Sequence, residues 1–260
     1  MKPPGNLPWG LKRNKMEKII KEGSILKSLP HIEKRQFLIL GAVRFSGEII
    51  DNSYQNLNSC LVEMSNKSIR RIPESFQFAW NIIDHSQRLI KFLHLLPSVS
   101  EHRKTKELLR IIKEFRNTFQ HLDERLDRAL MNNEHPVFGK LKWCMSYDGG
   151  KVNNYIAISG SLTFNASTNK YNVGKFNSAL QPSEIILESV DKQKILEIDI
   201  SSLYTELVGI IHKVEMSLLE QFRKHGIDLI DRSSTTDVLF KIVNGENNLI
   251  VSELSNKSIK

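Results

Sequence analysis

From Thr105 to Met131 the apolar residues recur at alternating steps of four and three, and Leu108, Ile112, Phe115, Phe119, Leu122, Leu126 and Ala129 fall on one stripe. That spacing is the 3.6-residue period of an amphipathic helix, with no Gly or Pro to break it. Its 27 residues predict a rod of about 40 Å on which other helices would pack. Upstream, the pattern predicts a basic helix over 11–29, with Met16, Ile19, Ile20, Ile25, Leu26 and Leu29 as its apolar face. After Pro30 a second helix is expected over 33–54, then a polar turn at Gln55–Ser59, then a shorter helix over 60–72 ended by Pro73. Gly41 and Ala42, inside the apolar run Phe37–Val43, suggest a close helix crossing. A further helix over 74–96 turns Phe76, Trp80, Ile83, Ile90 and Leu93 inward.

Beyond Asn132 the period changes from helical to alternating. Leu141–Tyr147 and Val152–Ser159 flank Asp148-Gly149-Gly150, a tight-turn signal. Ser161–Ala166, Tyr171–Phe176, Ser183–Val190 and Lys194–Ile200 alternate similarly, the last two as a hairpin. A final helix is expected from a Ser201 cap to about Lys224, closed by Gly226. Two short strands, Asp237–Val243 and Asn248–Leu254, follow around Asn244-Gly245. The class is therefore α+β, a mainly helical bundle followed by a small antiparallel sheet and a C-terminal helix. The expected organisation is a bundle over 11–132, a β-rich insertion over 139–200, a helix over 201–226 returning to the bundle, and short strands with a frayed tail over 227–260.

Composition narrows the function classes. The chain has 260 residues, 40% of them apolar, enough for a substantial core. No apolar run is long enough for a membrane span, and the start MKPPGNLPWGLKRNK lacks a signal peptide's apolar region, so a cytoplasmic, non-membrane protein is expected. Cys60 and Cys144 are the only cysteines, without ligand spacing, so no disulfide framework, metal site or cofactor is indicated. The net charge of +8 favours polyanionic partners, because neutralising phosphates releases condensed counterions. Nine Lys/Arg against three Glu crowd the first 35 residues.

Candidate chemistry sits on the polar side of the long helix. Asn117 and His121 are four apart and lie above one another opposite the apolar stripe, with Glu114 and Glu124 extending the row and Arg116 flanking it. On the preceding helix Asn81, Asp84, His85 and Arg88 share a face that would lie beside Arg116 and His121 if the helices pack antiparallel. The plainer alternative is a solvated face with an Asp84–Arg88 surface pair.

Arg116-Asn117-x-x-x-His121 on a long helix resembles the signature of HEPN domains, all-helical bundles of which many are RNA endonucleases in toxin–antitoxin, phage-defence and stress systems. In that family an Arg, usually followed by a polar residue, precedes a His by a few positions. The resemblance covers about residues 11–132, and 139–260 lie outside it. It implies a metal-independent RNase that needs no cofactor, with Arg116, Asn117 and His121 as the catalytic set. It also implies a homodimer bringing two motif helices together, an RNA substrate such as tRNA or mRNA, and a possible antitoxin. The chemistry suits the residues. An imidazole, with a reference pKa of roughly 6.5, moves protons near neutral pH, and a guanidinium fork steadies charge on a phosphate. The competing possibility is a catalytically inactive HEPN-like scaffold that binds nucleic acid or a protein partner.

Overall fold

The computed structural model describes residues 17–67, 70–96, 103–120, 136–146, 152–159, 182–191, 194–227, 239–243 and 246–250. Among them the longest element is α1 (Lys34–Lys67), unbroken for 34 residues. Glu33 opens it, its carboxylate accepting from the backbone N–H groups of Arg35 and Gln36 at 2.9 and 3.0 Å. The turn expected at Gln55–Ser59 does not form, and the helices expected over 33–54 and 60–72 are one. The polar side chains there bond back to their own helix: Asn56 to the Asn52 carbonyl, Asn58 to Tyr54 and Ser59 to Gln55. Leu57, Cys60 and Leu61 meanwhile bury the inner face.

Pro73 starts an element instead of ending one. It occupies the first turn of α2 (Ile72–Leu93), where a missing N–H costs nothing. α2 packs along α1 and buries Phe76, Ala79, Trp80, Ile82, Ile83, Ile90 and Leu93. α3 (Arg103–Gln120) follows. It is the first part of the predicted rod, whose remainder, 121–131, lies outside the described residues.

The helix expected over 11–29 is also corrected over 17–29, residues 11–16 lying outside the described residues. Residues 17–33 are irregular except for a single 3-10 turn at Ile25–Lys27. Their apolar residues are nevertheless core: Ile19, Ile20, Ile25, Leu26 and Leu29 are buried. The backbone is held by side chains in place of a helical ladder. Asp51 of α1 accepts from the N–H groups of Ile19 and Ile20 at 2.8 and 3.0 Å.

The sheet runs β2-β1-β3-β4, all antiparallel. Its strands are β1 (Lys140–Ser146), β2 (Val152–Ile158), β3 (Pro182–Asp191) and β4 (Lys194–Asp199). The expected β3–β4 hairpin forms, pairing as far as Asp191 with Lys194. A bulge breaks the β1–β3 register between Lys142 and Cys144, and Glu184 opposite it adopts φ 52°. Trp143 of β1 donates its indole N–H to Ser65 Oγ at 2.9 Å and stacks on Tyr155, which fixes the sheet to the end of α1. The strands predicted over 161–166 and 171–176, and the turns at 148–150 and 244–245, lie outside the described residues. β5 (Leu239–Val243) and β6 (Glu246–Ile250) pair as a separate hairpin.

α4 (Ile200–Lys224) is capped by Asp199 and not by Ser201. Asp199 accepts from the Ser202 N–H at 2.9 Å, while Ser201 Oγ accepts from the Ile185 N–H and ties α4 to β3. Gly226, at φ 64°, ends the helix, with Ile227 N–H reaching the Phe222 carbonyl and Gly226 N–H the Arg223 carbonyl. α4 then joins the N-terminal segment to α1: Tyr204 stacks on Tyr54 and donates to Asp51 at 2.6 Å, and Ser24 bonds Glu215. Buried residues of the segment, helices and sheet form one core cluster.

The close helix crossing expected at Gly41 does not form there; the tight contact on α1 is at Gly47, against Ile19 and Ile20 of the irregular segment. A Cβ at Gly47 would lie 2.7 Å from Ile20 Cγ1, whereas one at Gly41 would meet nothing within 4 Å. Alanine therefore has opposite effects at the two sites. Gly41→Ala is expected to stabilise by about 0.5–1 kcal/mol through helix propensity. Gly47→Ala is expected to destabilise by about 1 kcal/mol, because overpacking of about 1–3 kcal/mol exceeds that gain. Urea midpoints read both signs.

Candidate functional site: the seam between α2 and α3

α2 and α3 form an antiparallel pair. His94 Nε2 lies 3.0 Å from Thr105 Oγ1, Arg116 meets Asp84, and Trp80 sits against Phe115 with ring centroids 6.3 Å apart. The inner stripe of α3 runs through Thr105, Ile112, Phe115 and Thr118, all buried, with Leu108 and Leu109 at its edges. Phe115 and Trp80 thus set the axial register that brings residue 116 level with residue 84.

That register puts Arg116 at the seam and not on the outer face where the sequence placed it. Its Nε donates to Asp84 Oδ1 at 2.5 Å. The second carboxylate oxygen accepts from Arg88 Nε at 2.9 Å, with Arg88 Nη2 at 2.8 Å. One aspartate therefore bridges two arginines from different helices: the expected Asp84–Arg88 pair forms, and the α2 face lies beside Arg116, while His121 is outside the described residues. Burial pushes the Asp84 pKa upward, but the hydrogen bond from Arg116 and the charges of Arg88 and Arg116 together outweigh it and hold the carboxyl below its ordinary value.

His85 adjoins this cluster. Its Nδ1 is buried without a hydrogen-bond partner. Burial, and then the charge of Arg88, lower its pKa against the opposing pull of Asp84. The neutral imidazole is thereby favoured, and a bare lone pair at Nδ1 costs less than a bare N–H would. Asn81 is half-buried one turn earlier.

The other candidates are not drawn in. Glu114 accepts from Arg110 Nη1 at 2.8 Å along its own helix. Asn117 is exposed. His121 and Glu124 lie outside the described residues. The structure therefore unites Asp84, Arg88 and Arg116, with His85 beside them. Of the motif it describes only Arg116 and Asn117.

Sequence reasoning missed the buried polar cluster around Asp51, Tyr204 and Tyr54. Asp51 falls on the inner row of α1 beside Ile50, Tyr54 and Leu57, and a carboxylate in an apolar row was the available signal. It also missed the cross-strand network in which Glu188 pairs Lys140 at 3.0 Å and Lys142 at 2.5 Å, while Lys142 reaches Glu197 at 2.8 Å. Cys144 has no character of a nucleophile: burial, reinforced by Glu184, pushes its thiol up to about 11. Among the described residues no group of three or more His, Cys, Asp or Glu is placed to hold a metal ion, and no helix is long and apolar enough to cross a membrane. The chain matches no protein-family profile, no curated protein and no solved structure.

Proposed function

We propose that this chain is a metal-independent RNA endonuclease of the HEPN type, a toxin or phage-defence or stress RNase that acts as a homodimer. The observation that supports this reading is the fixing of Arg116. Asp84 holds its guanidinium by Nε, and among the described residues neither Nη donates a hydrogen bond, so a phosphate-binding edge is left over. Asn117, next along the chain, is exposed.

RNA carries its own nucleophile. The 2′-hydroxyl attacks the adjacent phosphorus, the P–O5′ bond breaks, and a 2′,3′-cyclic phosphate and a 5′-hydroxyl result. One proton leaves the 2′-oxygen and one reaches the departing 5′-oxygen. His121 of each protomer supplies one of these transfers in a composite cleft. Arg116 counters charge on the non-bridging oxygens, and Asn117 orients the imidazole or the phosphate.

The alternative, a catalytically inactive scaffold that binds nucleic acid or a partner, draws on the same contact, because an arginine already paired with Asp84 also serves as an interhelical tie. Incubation with total RNA or tRNA in EDTA separates the two. Cleavage by the wild type that is lost in His121→Ala and Arg116→Ala supports the nuclease. No cleavage, or equal cleavage by all three proteins, discards it.

A further inference from the structure

We infer that Asp84, Arg88 and Arg116 form a seat for one phosphodiester of an RNA chain, with Asp84 as its positioning residue and Arg88 as a second phosphate contact. The inference rests on the reading of Arg116 as a phosphate contact and extends it to α2. The geometry is specific. A guanidinium is planar and cannot turn about its delocalised C–N bonds, so holding Nε at 2.5 Å fixes the direction of both Nη groups. They form the pair of donors that grips two phosphate oxygens in parallel. Arg88 commits Nε and Nη2 to the other oxygen of the same carboxylate, leaving Nη1.

The charge count agrees. Two guanidinium charges against one carboxylate leave +1, which a phosphodiester neutralises. A plain interhelical tie needs one cation for one carboxylate, whereas here two share it. The Arg116 and Asp84 side chains keep 23% and 30% of their exposure. The seat is thus open to a ligand yet shielded enough for its charge to act more strongly than on an open surface.

The test measures binding without cleavage, by fluorescence anisotropy of a 2′-O-methyl RNA oligonucleotide at fixed salt. Asp84→Ala raises the local charge from +1 to +2, so attraction by charge alone predicts tighter binding. A positioning role predicts the opposite, weakening by about tenfold, as does loss of the Arg88 contact in Arg88→Ala. Arg110→Ala is the control, since Glu107 and Glu114 already engage that side chain on the outer face of α3, and its affinity stays within about twofold of wild type. Circular dichroism melts confirm that the variants are folded. Arg88, whose side chain is 53% exposed, decides the matter if Asp84→Ala does not fold. Binding by Asp84→Ala as tight as wild type or tighter, an Arg88→Ala affinity equal to that of Arg110→Ala, or no binding by the wild type overturns the seat. Absence of cleavage with unmodified RNA removes the nuclease alone, and the anisotropy result still decides the seat.

Discussion

On the proposed nuclease reading, replacing His121 by alanine is expected to slow RNA cleavage by about 10²–10⁴-fold, the usual worth of a positioned general acid or base. Transphosphorylation needs protons moved at two oxygens, and a guanidinium, always protonated, performs neither transfer. The loss should fall on kcat and not on KM, because in the proposed mechanism the imidazole acts only in the transition state while Arg116 contributes to binding as well. Arg116→Ala should therefore raise KM in addition to lowering kcat. Single-turnover cleavage of a defined RNA in EDTA, with protein in excess, reads the two effects separately. A His121→Ala variant as fast as wild type removes the imidazole from the mechanism.

Asp51→Ala is expected to destabilise the fold by about 3 kcal/mol or more. Asp51 is buried and accepts three hydrogen bonds, from the Ile19 and Ile20 N–H groups and the Tyr204 hydroxyl. Truncation leaves the two N–H donors unsatisfied at about 1–3 kcal/mol each and takes from the Tyr204 hydroxyl the shorter of its two acceptors, the other being the Glu17 carbonyl at 3.1 Å. For a chain of this size that corresponds to a fall in Tm of about 6–12 °C. The pH dependence carries its own sign. Burial raises the Asp51 pKa above 3.8, and the bonds from Tyr204, Ile20 and Ile19 only partly oppose it. The folded state therefore binds this proton more readily than the unfolded chain does. The part of the stability that is linked to protonation of Asp51 is fully present below the unfolded pKa and is lost as pH rises through the folded one, while the hydrogen bonds that the carboxylate accepts persist. The stability difference between wild type and Asp51→Asn should accordingly grow as the pH is lowered toward and through 3.8. Parallel urea titrations across that range measure it, and a difference that shrinks on acidification contradicts the assignment.

Periodicity made the strongly amphipathic helices legible. α2, α4 and the start of α3 follow stripes readable from single residues, and the strands of the sheet sit where alternation placed them. Polar side chains misled where their partner was local or distant. Asn56, Asn58 and Ser59 suggest a turn until each is seen bonding its own helix one turn back. In the N-terminal segment the apolar residues were rightly assigned to the core, but tertiary acceptors replaced the helical ladder, a contest that local propensity does not register. The candidate site was half legible. Spacing put Asp84 and Arg88 on one face, whereas the meeting of Asp84 with Arg116 depends on the axial register set by Trp80 and Phe115. That register is a property of the packed pair and of neither helix alone.

The bond between Ser24 and Glu215 joins positions 191 residues apart. During synthesis at roughly 5–20 residues per second, Glu215 follows Ser24 by about 10–40 s. Throughout that interval the isoleucine-rich segment 17–33 has no α4 to rest against, although the α1–α2 and α2–α3 hairpins can already close from nearby sequence. The emerging polypeptide is therefore most in need of a chaperone around residues 17–33, and ribosomes stalled before α4 should display protease sensitivity there while the helices and sheet behind it are already closing.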